Sequence, residues 1–256
     1  MATTQQARGA RGGLLSRIPR PSADVWETVF GVVYVVMATN LLLALAGLPL
    51  VVLLMTTDPR ASWPALAIAA VAAFPGLGAA AAVFSGYTVR RSTDVVRTFL
   101  TSWVRHLRRM LVLGLTCVGV ATIVALDVVW LLGGLDAAEG GAGAGPAGPL
   151  GAVLVPFLGI VGALALSTTI LAVVASVERP DARLRDVLKA SLYLGLRRWY
   201  LTVGSFVVLG MLAGLFTLHP ALALGLAAAP LLYVVWSNAR FSLRPVLPVG
   251  AEAAPE

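Results

Sequence analysis

Charged residues are scarce in this sequence, only 12% of 256, while 59% are apolar. A water-soluble domain of that length would lack the polar surface to cover itself, so the solvent for most of the chain is lipid. Cysteine occurs once, as Cys117 inside an apolar run, which excludes a disulfide or a thiolate cluster within one chain. Lysine also occurs once, as Lys189, among 19 basic residues. The two histidines, His106 and His219, stand alone at opposite faces of the membrane and cannot share one metal. His-Glu-x-x-His, a phosphate-binding Gly-rich loop ending in Lys-Ser/Thr, and a Gly-x-Ser-x-Gly elbow are all missing. Nothing in the sequence calls for a catalytic residue, a metal or a cofactor.

A net charge of +7 invites a nucleic-acid reading. The basic residues, however, fall between long apolar runs and form no continuous stripe on a polar domain, which argues against nucleic acid as a partner. Residues 1–25 carry Arg8, Arg11, Arg17 and Arg20 among Gly, Ser and Pro, without the apolar core of a cleavable signal peptide. They read as a disordered cytoplasmic tail.

A helix that crosses the hydrocarbon layer needs about 20 mostly apolar residues. Six runs qualify, at about 27–56, 63–89, 110–132, 150–177, 199–218 and 221–236, so 26–240 reads as one all-α, polytopic membrane domain. The first contains Asn40, Gly47 and Pro49, and the second Pro75, Gly76 and Gly78. Pro49 frees a carbonyl one turn earlier, so a bend is expected near Leu45, and Pro75-Gly76 marks a second kink. The Gly/Ala/Pro stretch at 140–149 has no periodicity and reads as a flexible loop. Residues 241–256 read as a second tail.

Loops rich in Lys and Arg stay in the cytoplasm. With both termini inside, the first tail, the segments 90–109 and 179–198, and the C-terminal stretch from Arg240 hold every basic residue except Arg60. Tryptophan favours the headgroup boundary, since its ring is apolar and its N–H wants a wet partner. Trp26, Trp199 and Trp236 fall at inner ends, Trp63 and Trp130 at outer ends, and Trp103 within the inner segment 90–109.

That segment is amphipathic: Val95, Val96, Phe99, Leu100, Trp103, Val104 and Leu107 recur at helical spacing, with Arg97, Thr101, Arg105 and Arg108 on the remaining face. The segment 179–198 repeats the plan, with Leu184, Val187 and Leu188 opposite Arg183, Arg185, Lys189, Arg197 and Arg198. Both are expected as helices on the cytoplasmic face, held in the headgroup plane by anionic lipid. His106 adds one more polar group to the first. Arg97, Trp103, Arg105, Arg108, Arg109, Arg183, Arg185, Lys189, Arg197 and Arg198 thereby become candidates for docking lipid or a partner protein. Leu107-Arg108-Arg109-Met110 resembles Leu196-Arg197-Arg198-Trp199, which suggests that spans two-three and four-five repeat one hairpin unit.

Within the spans, two polar residues stand out. Asp127 is the one acidic residue well inside a run, near its outer boundary, and reads as an interfacial hydrogen bond or cap, or else as a coupling carboxylate. Asn40 lies near the middle of span one and should bond another helix or a freed carbonyl near Pro49, or else touch a substrate. Gly210 and Gly214 form a small-xxx-small pair suited to close helix contact.

Four passages resemble the YesL-like family of bacterial membrane proteins, a domain-of-unknown-function family often encoded beside carbohydrate ABC transporters. They are Asn40-Leu41-Leu42 with Leu48-Pro49, Pro75-Gly76-Leu77-Gly78 entering Ala79-Ala80-Ala81, the Phe99 and Trp103 helix, and Asp127 with Trp130. The resemblance spans residues 26–240, and the piece 50–74 is longer than the family's. It implies a bacterial plasma-membrane protein, non-enzymatic and accessory to a sugar-uptake system, with ABC-transporter subunits or another membrane protein as partners. The alternative is a small secondary transporter or channel with its site at the broken spans one and two.

Overall fold

In lipid every backbone polar group has to be satisfied within the chain, and long runs of Leu, Val and Ala achieve this as helices. The computed structural model describes residues 23–139 and 148–244, and among these no strand is present. The expected tails and loop lie largely outside the described residues. Gly148 and Pro149, expected in the loop, open a helix, and 241–243 close one.

Six segments are long and apolar enough to cross a membrane: Trp26–Ala46, Trp63–Arg90, Val95–Leu131, Gly151–Glu178, Trp199–Leu218 and Pro220–Leu243. The chain is an all-α, multi-pass membrane protein.

The first expected span, 27–56, is corrected to two helices. α1 (Ala23–Ala46) ends before Gly47, which leaves helical geometry at φ −91° and ψ 2°, and α2 (Leu48–Thr56) follows. Pro49 explains the difference. In the first turn of a helix its missing N–H is no loss, so here proline starts a helix instead of bending one. α2, with 9 residues, is about 13 Å long, too short to cross.

α3 (Trp63–Arg90) passes through Pro75 without a break and stops at Arg91, whose left-handed backbone (φ 52°) turns the next N–H, that of Ser92, back to Gly86 O at 3.4 Å. α4 (Val95–Glu139) is a single helix of 45 residues. The amphipathic stretch before span three is thus helical, but it is not a separate element in the headgroup plane. Neither Gly nor Pro interrupts 95–113, and its Leu, Arg and Met residues favour helix. At about 68 Å, α4 exceeds twice the hydrocarbon thickness, so its basic part projects beyond the apolar layer.

α5 (Gly148–Glu178) is followed by the short amphipathic α6 (Leu184–Arg197), then by α7 (Trp199–Leu218) and α8 (Pro220–Leu222). A π-helical turn at Ala223–Ala227 leads into α9 (Ala228–Leu243), so the last span runs past the expected end at 236. α3, α5 and α9 pack on one another at the centre, α1 and α4 flank α3, and α7 leans mainly on α9. Small residues make this possible. Ala79, Ala80 and Ala81 are buried, and a Cβ at Gly78 or Gly114 would come within 2.8 Å of Met110 Sδ or Phe74 Cγ respectively. A Cβ at Gly76 would meet Ala46 Cβ at 2.8 Å, so the Pro75-Gly76 pair serves contact between α3 and α1.

Candidate functional site: the basic end and the polar interior

The Arg-rich segments converge. Arg109 Nη1 donates to Pro180 O at 2.9 Å, Arg198 Nη1 donates to Phe241 O at 2.7 Å, and Arg240 Nε lies 3.1 Å from Glu178 Oε1. These contacts bring α4, the α5–α6 connection, the start of α7 and the end of α9 to one end of the bundle. Glu27 and Thr28 of α1 join Tyr87 and Arg91 there, around a cavity of about 400 Å³. Arg60, between α2 and α3, lies a full helix length away.

Of the ten docking candidates, Arg97, Arg105, Arg108, Arg183, Arg185, Lys189 and Arg197 are exposed, and none forms an ion pair with another described residue. The other three are corrected to structural roles. Trp103 packs against the core, Arg109 holds the α5–α6 connection, and Arg198 stacks over the Phe241 ring at 5.2 Å while bonding its carbonyl. α6 rests on the bundle through Val187, Ser191, Leu194 and Gly195. Gly195 lets α6 lie close on α5, since a Cβ would come within 2.7 Å of Ser167 Oγ and displace that hydroxyl.

At the same end, the last turns of α3 and the first turns of α4 enclose a polar groove of about 270 Å³, lined by Arg90, Arg105, His106 and four hydroxyl residues. Ser85 comes from α3; Thr98, Thr101 and Ser102 come from α4. His106 Nδ1 lies 3.1 Å from Ser102 O and 3.2 Å from Ser102 Oγ. A carbonyl can only accept, so Nδ1 donates to it.

Asn40 is 1% exposed and bonds the last span. Its Nδ2 donates to Gly225 O at 3.1 Å, and its Oδ1 accepts from Ala229 N–H at 2.6 Å. In a regular helix those two backbone groups would bond each other, four residues apart. The amide stands between them, and the ladder opens by one residue: Ala228 N–H bonds Ala223 O instead, the five-residue step of a π turn. Pro230, which lacks an N–H, weakens the ladder at the same place. Asn40 lies about 9 Å from the Ala46 end of its span.

Asp127 is exposed on α4 and has no partner among the described residues. Because α4 continues to Glu139, Asp127 caps no helix, and that expectation is corrected. Gly210 and Gly214 face open space, so their close-contact pattern is unused within the chain. Pro49 acts as a helix start, as described above.

Compared with known proteins, the chain matches no family model, no curated protein and no solved structure.

Three features went unnoticed in the sequence. The Glu178–Arg240 pair sits beside Trp236, over whose ring Arg240 lies at 5.3 Å, and Trp236 contacts the Phe84 and Tyr233 rings. A lone acid between an apolar run and a basic segment is the signal that marks Glu178. Hydroxyls of Ser167, Thr202 and Ser205, with Asn238 and Ser242, surround a space of about 10 Å³ among α5, α7 and α9, room for about one water. Ser205 and Ser242 bond carbonyls of their own helices, while Ser167, Thr202 and Asn238 bond across helices, so spacing alone does not announce the cluster. Third, Ser85, Thr98 and Thr101 acquire meaning only when α3 and α4 come together. Among the described residues no group of three or more His, Cys, Asp or Glu is placed to hold a metal ion.

Proposed function

We propose that this chain is a non-enzymatic protein of a bacterial plasma membrane, with both termini and the basic end in the cytoplasm. It acts as an accessory or regulator of a carbohydrate uptake system of the ABC type. The observation that carries the reading is the band of exposed, unpaired cations at one end of the bundle: Arg97 and Arg108 on α4, Arg183, Arg185, Lys189 and Arg197 on or beside α6. Exposed cations that form no ion pair with another described residue suit an acidic surface on a partner or anionic headgroups. The positive-inside rule supports the orientation, and the resemblance to the YesL-like family supports the sugar-uptake context.

The test is affinity purification of the full-length protein from native membranes in mild detergent, with quantified mass spectrometry. A near-equimolar ABC-transporter subunit, lost when Arg183, Arg185 and Lys189 are replaced by glutamate, is the expected result. A homo-oligomer free of other subunits overturns it.

One observation favours the transporter alternative. π turns and interrupted spans recur at functional sites, and the Asn40 junction is both. Against it, the polar space among α5, α7 and α9, about 13 Å along α9 from that junction, admits about one water, too little for a sugar. Solute flux in proteoliposomes that is abolished by Asn40→Leu or Asp127→Asn, with folding retained, would decide for transport.

A further inference from the structure

We propose that the groove between α3 and α4 at the basic end binds a phosphate group, carried either by a lipid headgroup or by a soluble phosphate compound. The two walls each bring a guanidinium, Arg90 from α3 and Arg105 from α4, and no carboxylate lines the space between them. Arginine's planar fork matches phosphate oxygens in pairs, and charge-assisted bonds of this kind are the strong ones.

The hydroxyls fit the same ligand. Thr98, Thr101, Ser102, Arg105 and His106 fall three to four residues apart, which stacks them on one face of α4 and turns that face toward the groove. Thr101 Oγ1 donates its proton to Arg97 O at 2.7 Å and has to turn it outward to bond a phosphate oxygen; Ser102 is nearly buried and orients the imidazole. With Nδ1 donating to Ser102 O, His106 is left with Nε2, which is enclosed and has no partner among the described residues. To reach a ligand in the groove the enclosed Nε2 has to turn outward; a cationic ring then donates to a phosphate oxygen, and a neutral ring accepts from a phosphate hydroxyl.

Gly86 completes the floor. A Cβ there would stand 3.9 Å from Arg90 Nη2, so the guanidinium folds across the glycine, and a larger side chain would fill space that the ligand needs. The groove approaches the size of small-molecule sites, roughly 300–1,000 Å³. That is more than a phosphate alone requires, which leaves room for an ester. It lies where α3 leaves the apolar layer, the depth at which headgroups sit. Arg97, Arg108 and the cations of α6 line no part of it, so its failure and that of the docking band are separable.

The test uses the full-length protein with two probes: inorganic phosphate, titrated by calorimetry in neutral detergent, and phosphatidic acid in phosphatidylcholine nanodiscs, followed by native mass spectrometry. Retention of phosphatidic acid without phosphate binding assigns the site to headgroups. Phosphate binding that displaces the lipid assigns it to a soluble compound; both results support the site. Arg90→Gln with Arg105→Gln should weaken binding about tenfold or more. Thr101→Asp, on an exposed position whose side chain bonds only its own helix, should do the same without threatening the fold. Arg244→Gln, which removes a cation outside the groove, should change binding less than twofold. Binding of neither probe, or equal loss in Arg244→Gln, overturns the proposal.

Discussion

Leu107-Arg108-Arg109-Met110 and Leu196-Arg197-Arg198-Trp199 are close to the same tetrapeptide, yet the helix runs through the first and stops in the second. The difference lies in which residue each junction turns inward. Along α4 the buried positions Val95, Phe99, Ser102, Met110 and Leu113 fall on one stripe that crosses the arginine pair in phase. The stripe brings Met110 inward, 0% exposed, and leaves the arginines at its sides. In α6 the stripe of Val187, Ser191 and Leu194 points next to Arg198. A guanidinium cannot be left unbonded in an apolar interface. The backbone departs from helix at Arg198, φ −116° and ψ 44°, and the side chain reaches Phe241 O. Trp199 then opens α7 at 66% exposure. A shift of one residue in register turns a continuous rod into a corner.

Proline scanning should break this contrast most sharply. Met110→Pro removes a ladder bond inside α4 and should cost about 3 kcal/mol or more. Trp199→Pro places proline at the first position of α7, where an N–H has no helical partner, and should cost under about 1 kcal/mol. Unfolding of the purified protein in detergent, followed by circular dichroism, measures both. Similar losses would mean that the corner at Arg198 closes in the membrane.

Side-chain truncation comes next. Met110→Ala should cost about 2–3 kcal/mol, because Met110 fills the space that Gly78 leaves open. Trp199→Ala should stay near 0.5 kcal/mol, roughly the surface range. Equal effects would show that burial at the first junction does not hold α4 straight.

This pair of junctions also explains what the sequence discloses and what it withholds. Length and hydropathy are local, and they located six spans, with α7 at the expected residues 199–218. Periodicity is local too, and it placed the amphipathic faces of 90–109 and 179–198. Whether such a face becomes its own helix depends on register against α3 and α5, which no window along the chain contains. Asn40 was legible as a costly buried amide that must bond something. Its partner was not, because Gly225 O and Ala229 N–H are backbone groups 185 and 189 residues away. The groove was hidden for the same reason: Arg105 read as one of ten docking candidates and Arg90 as the edge of a basic segment until two helices face each other.

The π turn sharpens the comparison with a third kind of interruption, made by an inserted side chain. Asn40→Leu removes both bridging bonds, so Ala229 N–H and Gly225 O must find each other or stay unpaired. The expected loss is about 1–2 kcal/mol, the upper range for hydrogen bonds between membrane helices. Hydrogen exchange should quicken at Ala228 and Ala229 while α4 stays protected. An unchanged exchange pattern would mean that Pro230 alone opens the turn.

The smallest effect separates the two arginines. Burial alone ranks Arg109 and Arg198 together, since both are half-buried and each bonds one carbonyl. Arg109, however, also encloses Nε and Nη2 without partners among the described residues, whereas the Arg198 guanidinium stacks on Phe241. An enclosed donor without a partner costs free energy that its removal returns. Arg198→Gln should therefore cost about 1 kcal/mol, from one charge-assisted bond and a cation–π contact. Arg109→Gln should cost less than half of that. If Arg109→Gln proves the more damaging, the bond to Pro180 O is what ties α4 to the α5–α6 connection, and the corner at Arg198 follows from that tie and not from its own contacts.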